Sequence, residues 1–578
     1  VKHWKVLTPD DGPAEALARH SFLPLPLARL LYSRGVKTPE EVDRFLNPRL
    51  SDMGDPFRLP GMDKAVERIW KAIQDETPIV VYGDYDVDGV TSAALMSLVL
   101  THLGAKVTRH LPNRMEEGYG LGAEAVARFV LTDKPGLIIT TDCGTGSHAA
   151  VAAARALGVD VVVTDHHEIS DLPAAAVAVV NPKLGSDPSS RILAGVGVAF
   201  QVCYAVLKRG RERRWKAAAD LDLRSHLDLV ALGTIADMVP MLHENRILVR
   251  HGLAQLNRRE RKGLQALVEV AGAKGELGAY HVGFVLGPRM NAAGRLGNAG
   301  DALELLLTDD VERAESLARK LDGANQDRKQ IEKEIMDEAI RRIDADFDPG
   351  SHFGIVVGDA GWHVGVVGIV ASRLANRYGR PAIVVGFDEM GIGRGSCRSI
   401  EGFDLLSGLK SCSEYLARYG GHEMAAGLEV QRHRFESFQK AFREACANLL
   451  KGRDLRKTLV IDGWVSLPEL LEPSFMEGVT RMAPFGEGNP EPVWGLREVQ
   501  VIGMPKLVGG AHLKMRVGVG ATSCEAIGFN LADRLETFPD GPLDLAFTLR
   551  SNTYLGRTTP QLHLQDFRSS ATATTSPE

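Results

Sequence analysis

The sequence has only six cysteines (Cys143, Cys203, Cys397, Cys412, Cys446 and Cys524), and no two are spaced as CxxC. This excludes a zinc ribbon and argues against a disulfide framework. No apolar run is long enough to span a bilayer and no basic-then-apolar leader is visible, so a reducing cytoplasm and no membrane are expected. No GxxxxGK[ST] loop occurs, which disfavours an ATP-driven motor. A strong charge of one sign is also missing. The formal charge is −6, so any nucleic-acid contact must come from local Arg and Lys clusters.

A chain of 578 residues exceeds one ordinary core, and several domains are expected. Residues 1–75 read as an N-terminal helical segment punctuated by Pro39, Pro48, Pro56 and Pro60. From 76 to 255 short apolar runs of strand length (Ile79–Tyr82, Leu137–Thr141, Val159–Val163, Val177–Val180) alternate with amphipathic stretches such as Val90–Leu103 and Ser147–Leu157. That alternation indicates an α/β fold with a parallel sheet covered on both faces. Residues 256–348 become helical and charge-rich; Leu317, Leu321, Ile331, Ile335 and Ile343 recur at helical spacing, as in a helix linking two lobes. A second α/β pattern fills 349–452. From 453 to 569 the period shortens to two: Leu513, Met515 and Val517, then Leu543, Leu545, Phe547 and Leu549, as in a small β-barrel. Residues 570–578 read as a disordered tail.

The carboxylates fall in a telling place. The first strand runs into Gly83-Asp84-Tyr85-Asp86-Val87-Asp88-Gly89, the second ends at Asp142, and the third at Asp165-His166-His167. The carboxyl ends of strands in an open α/β sheet form its ligand crevice. A lone Asp after a strand is more often a turn or helix-cap residue. Three successive strand ends carrying acidic or imidazole groups are hard to attribute to capping. So many carboxylates stay ionised together only with cations between them. Mixed Asp and His ligation without thiolates suits Mn²⁺ or Mg²⁺, and two ions sharing a carboxylate make the clamp used in phosphodiester hydrolysis. Asp237, in the apolar run Gly233-Thr234-Ile235-Ala236-Asp237, reads as a buried further ligand.

At these motifs the chain resembles the DHH phosphoesterase superfamily, named for Asp165-His166-His167, and within it the RecJ family of bacterial single-strand-specific 5′→3′ exonucleases. Gly83–Gly89, Thr141-Asp142-Cys143-Gly144 and Ala236-Asp237-Met238-Val239-Pro240 match the other superfamily motifs. Leu111-Pro-Asn-Arg114 with Glu117-Gly-Tyr-Gly120, Gly287–Arg295, Gly420-Gly-His422 and Pro484–Pro490 match elements that smaller relatives lack. The likeness runs to about residue 569. It departs from the wider superfamily at Tyr82, where smaller members carry a His, and at Cys143, often Asn. The first departure implies a carboxylate-rich shell for one metal, with Asp84 as the substitute.

The resemblance implies a parallel-sheet DHH lobe, a long linking helix, a DHH-associated α/β lobe and a C-terminal OB-fold-like barrel. It implies that Asp86, Asp88, Asp142, His166 and Asp237 hold two Mn²⁺ or Mg²⁺ ions, with Asp142 bridging and His167 orienting a ligand or stabilising phosphate charge. The substrate would be single-stranded DNA, cut from its 5′ end to 5′-mononucleotides in repair and recombination. Arg114, Arg289, Asn291, Arg295, Ser396, Arg398 and His422 are the expected phosphate and DNA contacts, with Arg289 and Arg295 on a Gly- and Asn-rich turn. Lys514 and Arg516 would line a groove of the barrel. A monomer in the bacterial cytoplasm is expected, with a single-strand-binding protein and a DNA helicase as family-implied partners. Two other readings compete. One is a DHH enzyme acting on oligonucleotides or small nucleotides, which needs only two lobes. The other is a non-catalytic single-strand-binding scaffold, which would be expected to have lost motif carboxylates or histidines.

Overall fold

A computed structural model describes residues 2–8, 11–113, 117–118, 120–169, 173–554 and 557–570. Five parallel strands form the first-lobe sheet in the order Val107–His110, Ile79–Gly83, Leu137–Thr141, Asp160–Thr164, Ala178–Val180. Every residue of Ile79–Gly83 and Leu137–Thr141 is buried, because side chains alternate between two covered faces. Ile79 and Val81 enter one core with helices Val87–His102 and Gly195–Glu212. Val80 and Tyr82 enter the other, beneath helices Ala123–Thr132 and His148–Ala156.

Helix Val311–Asp344 has 34 residues, about 50 Å at the usual rise. Leu317 and Leu321 are buried in the first-lobe core, whereas Ile335 and Ile343 are buried with the second lobe. One amphipathic helix thereby joins two cores. The second lobe is a mixed sheet in the order Leu416–Gly421, Ala425–Gln431, Ile392–Arg398, Ala382–Phe387, Ile355–Ala360; only the last two strands pair in parallel.

The C-terminal region is a seven-stranded sheet whose Trp494–Val501 strand pairs with both Leu543–Tyr554 and His512–Val519, curling it into a barrel. Leu513, Met515, Val517, Leu543, Leu545, Phe547 and Leu549 are all buried, as the period of two requires. No helix of the described residues is long and apolar enough to cross a membrane.

Two sequence expectations change. The N-terminal region is not purely helical: His3–Val6 is a strand that pairs in parallel with Thr458–Ile461. Its helices divide between two cores: Leu17, Leu27, Leu30, Leu31, Val42 and Leu46 pack into the barrel core, whereas helix Met62–Gln74 packs into the first-lobe core. The second change concerns Gly287–Arg295, which is a helix, Gly287–Leu296, rather than a turn. Pro288 is compatible with a first helical turn and Ala292-Ala293 favour the helix interior. Gly294 serves contact: a Cβ there would sit 2.7 Å from the Tyr85 carbonyl oxygen. Arg114 and residues 571–578 of the expected tail lie outside the described residues.

Candidate metal centre

The Ile79–Gly83 strand hands the chain to Asp84 and Asp86. Asp86 caps helix Val87–His102, one oxygen accepting from the Asp88 and Gly89 amides at 3.0 and 3.1 Å. Capping occupies one of the two oxygens of this carboxylate, and a metal role for the other is compatible with it. Gly89 is obligatory, since a Cβ would lie 2.5 Å from the Asp84 backbone. Asp88 is clamped from the far side, accepting from the Gly195 and Val196 amides at 2.6 and 2.8 Å. These amides open helix Gly195–Glu212, whose positive end favours an anion.

Asp142 sits just past the Leu137–Thr141 strand in the left-handed region, φ 63°, which aims its carboxylate back across the strand ends. Gly195 makes room for it, because a Cβ there would fall 2.5 Å from Asp142 Oδ1. His166 Nε2 lies 3.1 Å from Asp142 Oδ1, 3.6 Å from Asp237 Oδ2 and 3.8 Å from Asp88 Oδ2. Three sets of ligand atoms each lie within 4.8 Å of one another: Asp84, Asp86 and Asp142; Asp142, His166 and His167; Asp88, His166 and Asp237. Asp142 belongs to two of these sets. Asp237, expected to be buried, is only partly so, its side chain 23% exposed.

Asp165 has a different task. Its Oδ1 accepts from the His166 and His167 amides and, at 2.8 Å, from His167 Nδ1; its Oδ2 accepts from the Thr145 amide. It fixes the ring of His167, as carboxylates behind metal-site histidines do. Asn181 extends this brace, donating to the Thr145 hydroxyl and the His167 carbonyl.

The electrostatics of the bare cluster are those of a site that demands cations. Burial, reinforced by Asp86, pushes the Asp88 carboxyl up to about 7. Burial together with Asp88 and Asp86 pushes Asp237 up to about 9, and Asp142 also rises well above the carboxylate range. Burial lowers the His166 imidazole to about 3. Burial is also the largest single influence on Asp165 and His167 and disfavours charge on both, yet their mutual hydrogen bond and attraction, with the Thr145 hydrogen bonds to Asp165, together outweigh it, lowering the acid and raising the base. Asp142 Oδ1, His166 Nε2 and Asp237 Oδ2 are buried without a hydrogen-bond partner among the described residues. Buried polar atoms normally find partners; three orphans meeting at one point fit a divalent ion.

The second lobe carries Ser396 and Arg398 on the strand Ile392–Arg398. Gly368, in the first turn of helix Val367–Tyr378, stands so close to Ser396 and Arg398 that a Cβ would lie 3.0 Å from the Ser396 hydroxyl. A helix start beside a hydroxyl and a guanidinium is an anion-binding arrangement. Arg295 reaches this lobe through the Gly365 carbonyl at 3.1 Å. The Gly361-Trp-His-Val-Gly365-Val-Val-Gly368 run carrying that contact escaped the sequence reading, although its glycine density was a usable signal. His422 lies beyond the Leu416–Gly421 edge strand, exposed.

Other expected DNA contacts are engaged within the protein. Arg289 pairs with Asp322 at 2.8 Å and donates to the Val285 carbonyl. The Asn291 side-chain oxygen accepts from the Val87 amide at 3.1 Å, bracing the acidic loop. Lys514 and Arg516 both face Glu525, at 2.9 and 3.8 Å.

Residues 78–234 match the DHH family, N-terminal domain, residues 351–448 the DHHA1 domain and residues 461–566 the RecJ OB domain. The chain is 36% identical to the single-stranded-DNA-specific exonuclease RecJ of Bacillus subtilis, over 97% of its own length and 70% of that protein. It is 39% identical to the exonuclease RecJ of Dickeya dadantii, over 94% of itself and 96% of the relative. The crystal structure of Thermus thermophilus RecJ with Mn²⁺ superposes with a TM-score of 0.82 at 30% identity, covering 98% of this chain and 79% of that one. The Mg²⁺ form of that protein gives 0.77 at 29% identity, covering 98% and 78%. With one domain match over each of its three main lobes and such likeness along nearly all its length, the chain belongs to the RecJ family of the DHH phosphoesterases.

Proposed function

We propose that this protein is a metal-dependent exonuclease hydrolysing single-stranded DNA from the 5′ end to 5′-mononucleotides. The observation that carries the reading is the convergence of Asp88, Asp142 and Asp237 on His166 Nε2, with three of those atoms buried and unpartnered. Asp84, Asp86, Asp88, Asp142, His166 and Asp237 would hold two Mn²⁺ or Mg²⁺ ions, with Asp142 shared. When bound, such a pair would activate water and offset charge on the attacking and leaving oxygens as the phosphodiester is cut.

The chain's own residues do the rest. The Gly195 and Val196 amides keep Asp88 in place, and Asp165 fixes the His167 ring, which would orient a ligand or stabilise charge on the phosphate. The start of helix Val367–Tyr378, with Ser396, Arg398 and Arg295, receives backbone phosphates; Arg114 and His422 complete that role. Arg289 and Asn291 contribute by bracing the walls of the cleft, while Lys514 and Arg516 give the barrel a weaker electrostatic contact. The functional divisions are 1–75, 76–255, 256–348, 349–452 and 453–569. The setting is DNA repair and recombination in the bacterial cytoplasm, as a monomer working with a single-strand-binding protein and a helicase.

The test is digestion of 5′- and 3′-labelled single and double strands with Mn²⁺, Mg²⁺ or chelator. Early release of the 5′ label as 5′-mononucleotide from single strands, ahead of any 3′ label, absent from double strands and abolished by chelator, is expected. Equal cleavage of dinucleotides and long strands would instead support the small-nucleotide reading.

A further inference from the structure

Pro484-Phe-Gly-Glu-Gly-Asn-Pro490 belongs to the barrel domain, yet it is seated on the first lobe. Gly486 and Asn489 close a tight turn with backbone hydrogen bonds of 3.0 and 3.2 Å, and Gly488 takes φ 70°. Between them the Glu487 carbonyl accepts from the Met241 amide at 2.7 Å. A Cβ on Gly488 would lie 3.1 Å from Leu242 Cδ1 and 3.4 Å from Pro240 Cβ. The turn therefore presses on residues 240–242, only a few positions beyond Asp237 of the metal centre.

That stretch of chain needs holding. Asp237 ends helix Leu227–Ala236, and Met238 then swings the chain away at φ 59°. A bulky side chain in the left-handed region costs free energy and persists only where the surroundings fix it. Met238 is itself in water, whereas Met241 is buried. The Pro240 carbonyl accepts from Asn245 at 3.0 Å. The other hold on this stretch is the barrel-domain turn.

Arg246, on helix His243–Asn257 of the first lobe and 2% exposed, locks that turn in place. All five of its N–H groups go to carbonyls. Nε donates to Phe45 at 2.8 Å, Nη1 to Met482 and Pro484 at 2.8 and 3.3 Å, and Nη2 to Arg481 and Ala483 at 3.0 and 3.1 Å. Its charge thus meets the C-terminal end of helix Pro473–Met482, where a cation is favoured. Asn489, fully buried, donates to the Met482 and Pro484 carbonyls at 3.0 and 2.9 Å and accepts from Arg34 at 2.7 Å.

We propose that the Arg246 clasp and the Gly486–Asn489 turn position Asp237, so that the barrel domain sets the metal affinity of a centre to which it contributes no ligand. The inference deepens the metal-dependent reading and rests on Asp237 being a ligand there. Groups that orient a metal ligand from behind carry about 10- to 100-fold in metal affinity or activity. The clasp acts through a short stretch of backbone, so the lower end of that range is expected.

The test titrates Mn²⁺ into the full metal-free chain without DNA, free Mn²⁺ being read by electron paramagnetic resonance. Gly488→Val should weaken binding about tenfold, because its side chain pushes on Pro240 and Leu242. Gly520→Val is the matched control. Gly520 has φ 59° in the hairpin between His512–Val519 and Thr522–Gly528, and no described residue lies within 4 Å of a Cβ there. It should lower the melting temperature as Gly488→Val does and leave the isotherm unchanged. Arg246→Lys, which keeps the charge but loses the fork, should weaken Mn²⁺ binding as Gly488→Val does. In an Asp237→Asn background Gly488→Val should add nothing further. A wild-type isotherm from Gly488→Val or from Arg246→Lys, or a loss as large in the Asp237→Asn background, overturns the positioning role. If Asp237→Asn alone leaves the isotherm unchanged, the ligand assignment itself falls, and the clasp's role with it.

Discussion

The strand ends of the first lobe and the sheet face of the barrel both display charged side chains, and they have opposite partnering. At the strand ends, carboxylates and an imidazole crowd together with buried atoms left unmatched. On the barrel, Lys514 and Arg516 face Glu525, and Arg550 faces Glu491. Exposed pairs of that kind contribute little, and a single cation among them identifies no ligand. Unmatched buried groups cannot be idle in the same way, because leaving them bare costs free energy that only a ligand or a proton offsets. Charge count is therefore a poor guide to a site; unmet hydrogen-bonding capacity is a better one.

The largest effect that would sharpen this contrast is at Asp142. Asp142→Ala should reduce Mn²⁺-dependent hydrolysis to background while leaving a folded protein that still binds single strands; appreciable turnover would contradict a shared ligand. Asp165→Asn should come next, at about 10- to 100-fold in rate or metal affinity, because it removes the negative charge that holds the His167 ring and replaces one of the two accepting oxygens with a donor. Steady-state rates across a Mn²⁺ titration would separate the two contributions. Arg398→Ala should weaken strand binding by about tenfold and flatten its salt dependence, with metal affinity unchanged. Lys514→Ala should change strand affinity by no more than about twofold, since the loss of a surface pair is worth a fraction of a kcal/mol. A larger loss would move the barrel face into the same class as the cleft.

A pH experiment tests the cluster without substrate. The folded carboxyls of Asp88 and Asp237 titrate near about 7 and about 9, far above their unfolded values. The folded metal-free chain therefore binds more protons than the unfolded chain, and stability must fall as pH rises through that range. Burial of neutral His166 acts oppositely, but only below its unfolded value near 6.5. Between about pH 6.5 and 9, metal-free protein should lose melting temperature, and saturating Mn²⁺ should restore it, more at the alkaline end. A flat profile would mean that the carboxyls are not held together in the absence of metal.

Much of the first lobe could be read from local pattern. Five-residue apolar runs ending in Asp fix both strand and crevice, because a parallel strand buried on both faces has no polar position until it ends. The linking helix was equally legible from its spacing. The turn expected at Gly287–Arg295 was a misreading of glycine: Gly294 permits contact with the Tyr85 backbone, a reason that no local window contains. Likewise the motif placed Asp165 at a strand end without giving it a task; that its two oxygens are spent on amides and on His167 depends on the fold.

The sequence alone determined the periodicities, the order of motifs and the chemical types at each strand end, since these depend on residues within a few positions of one another. Tertiary structure decided that the N-terminal strand pairs with Thr458–Ile461 and that Leu17 to Leu46 complete the barrel's core more than 400 residues downstream, that Gly195 leaves space for Asp142, and which arginines already have partners. Those outcomes depend on packing between distant segments, where a missing Cβ or a single competing carboxylate changes what a side chain can reach.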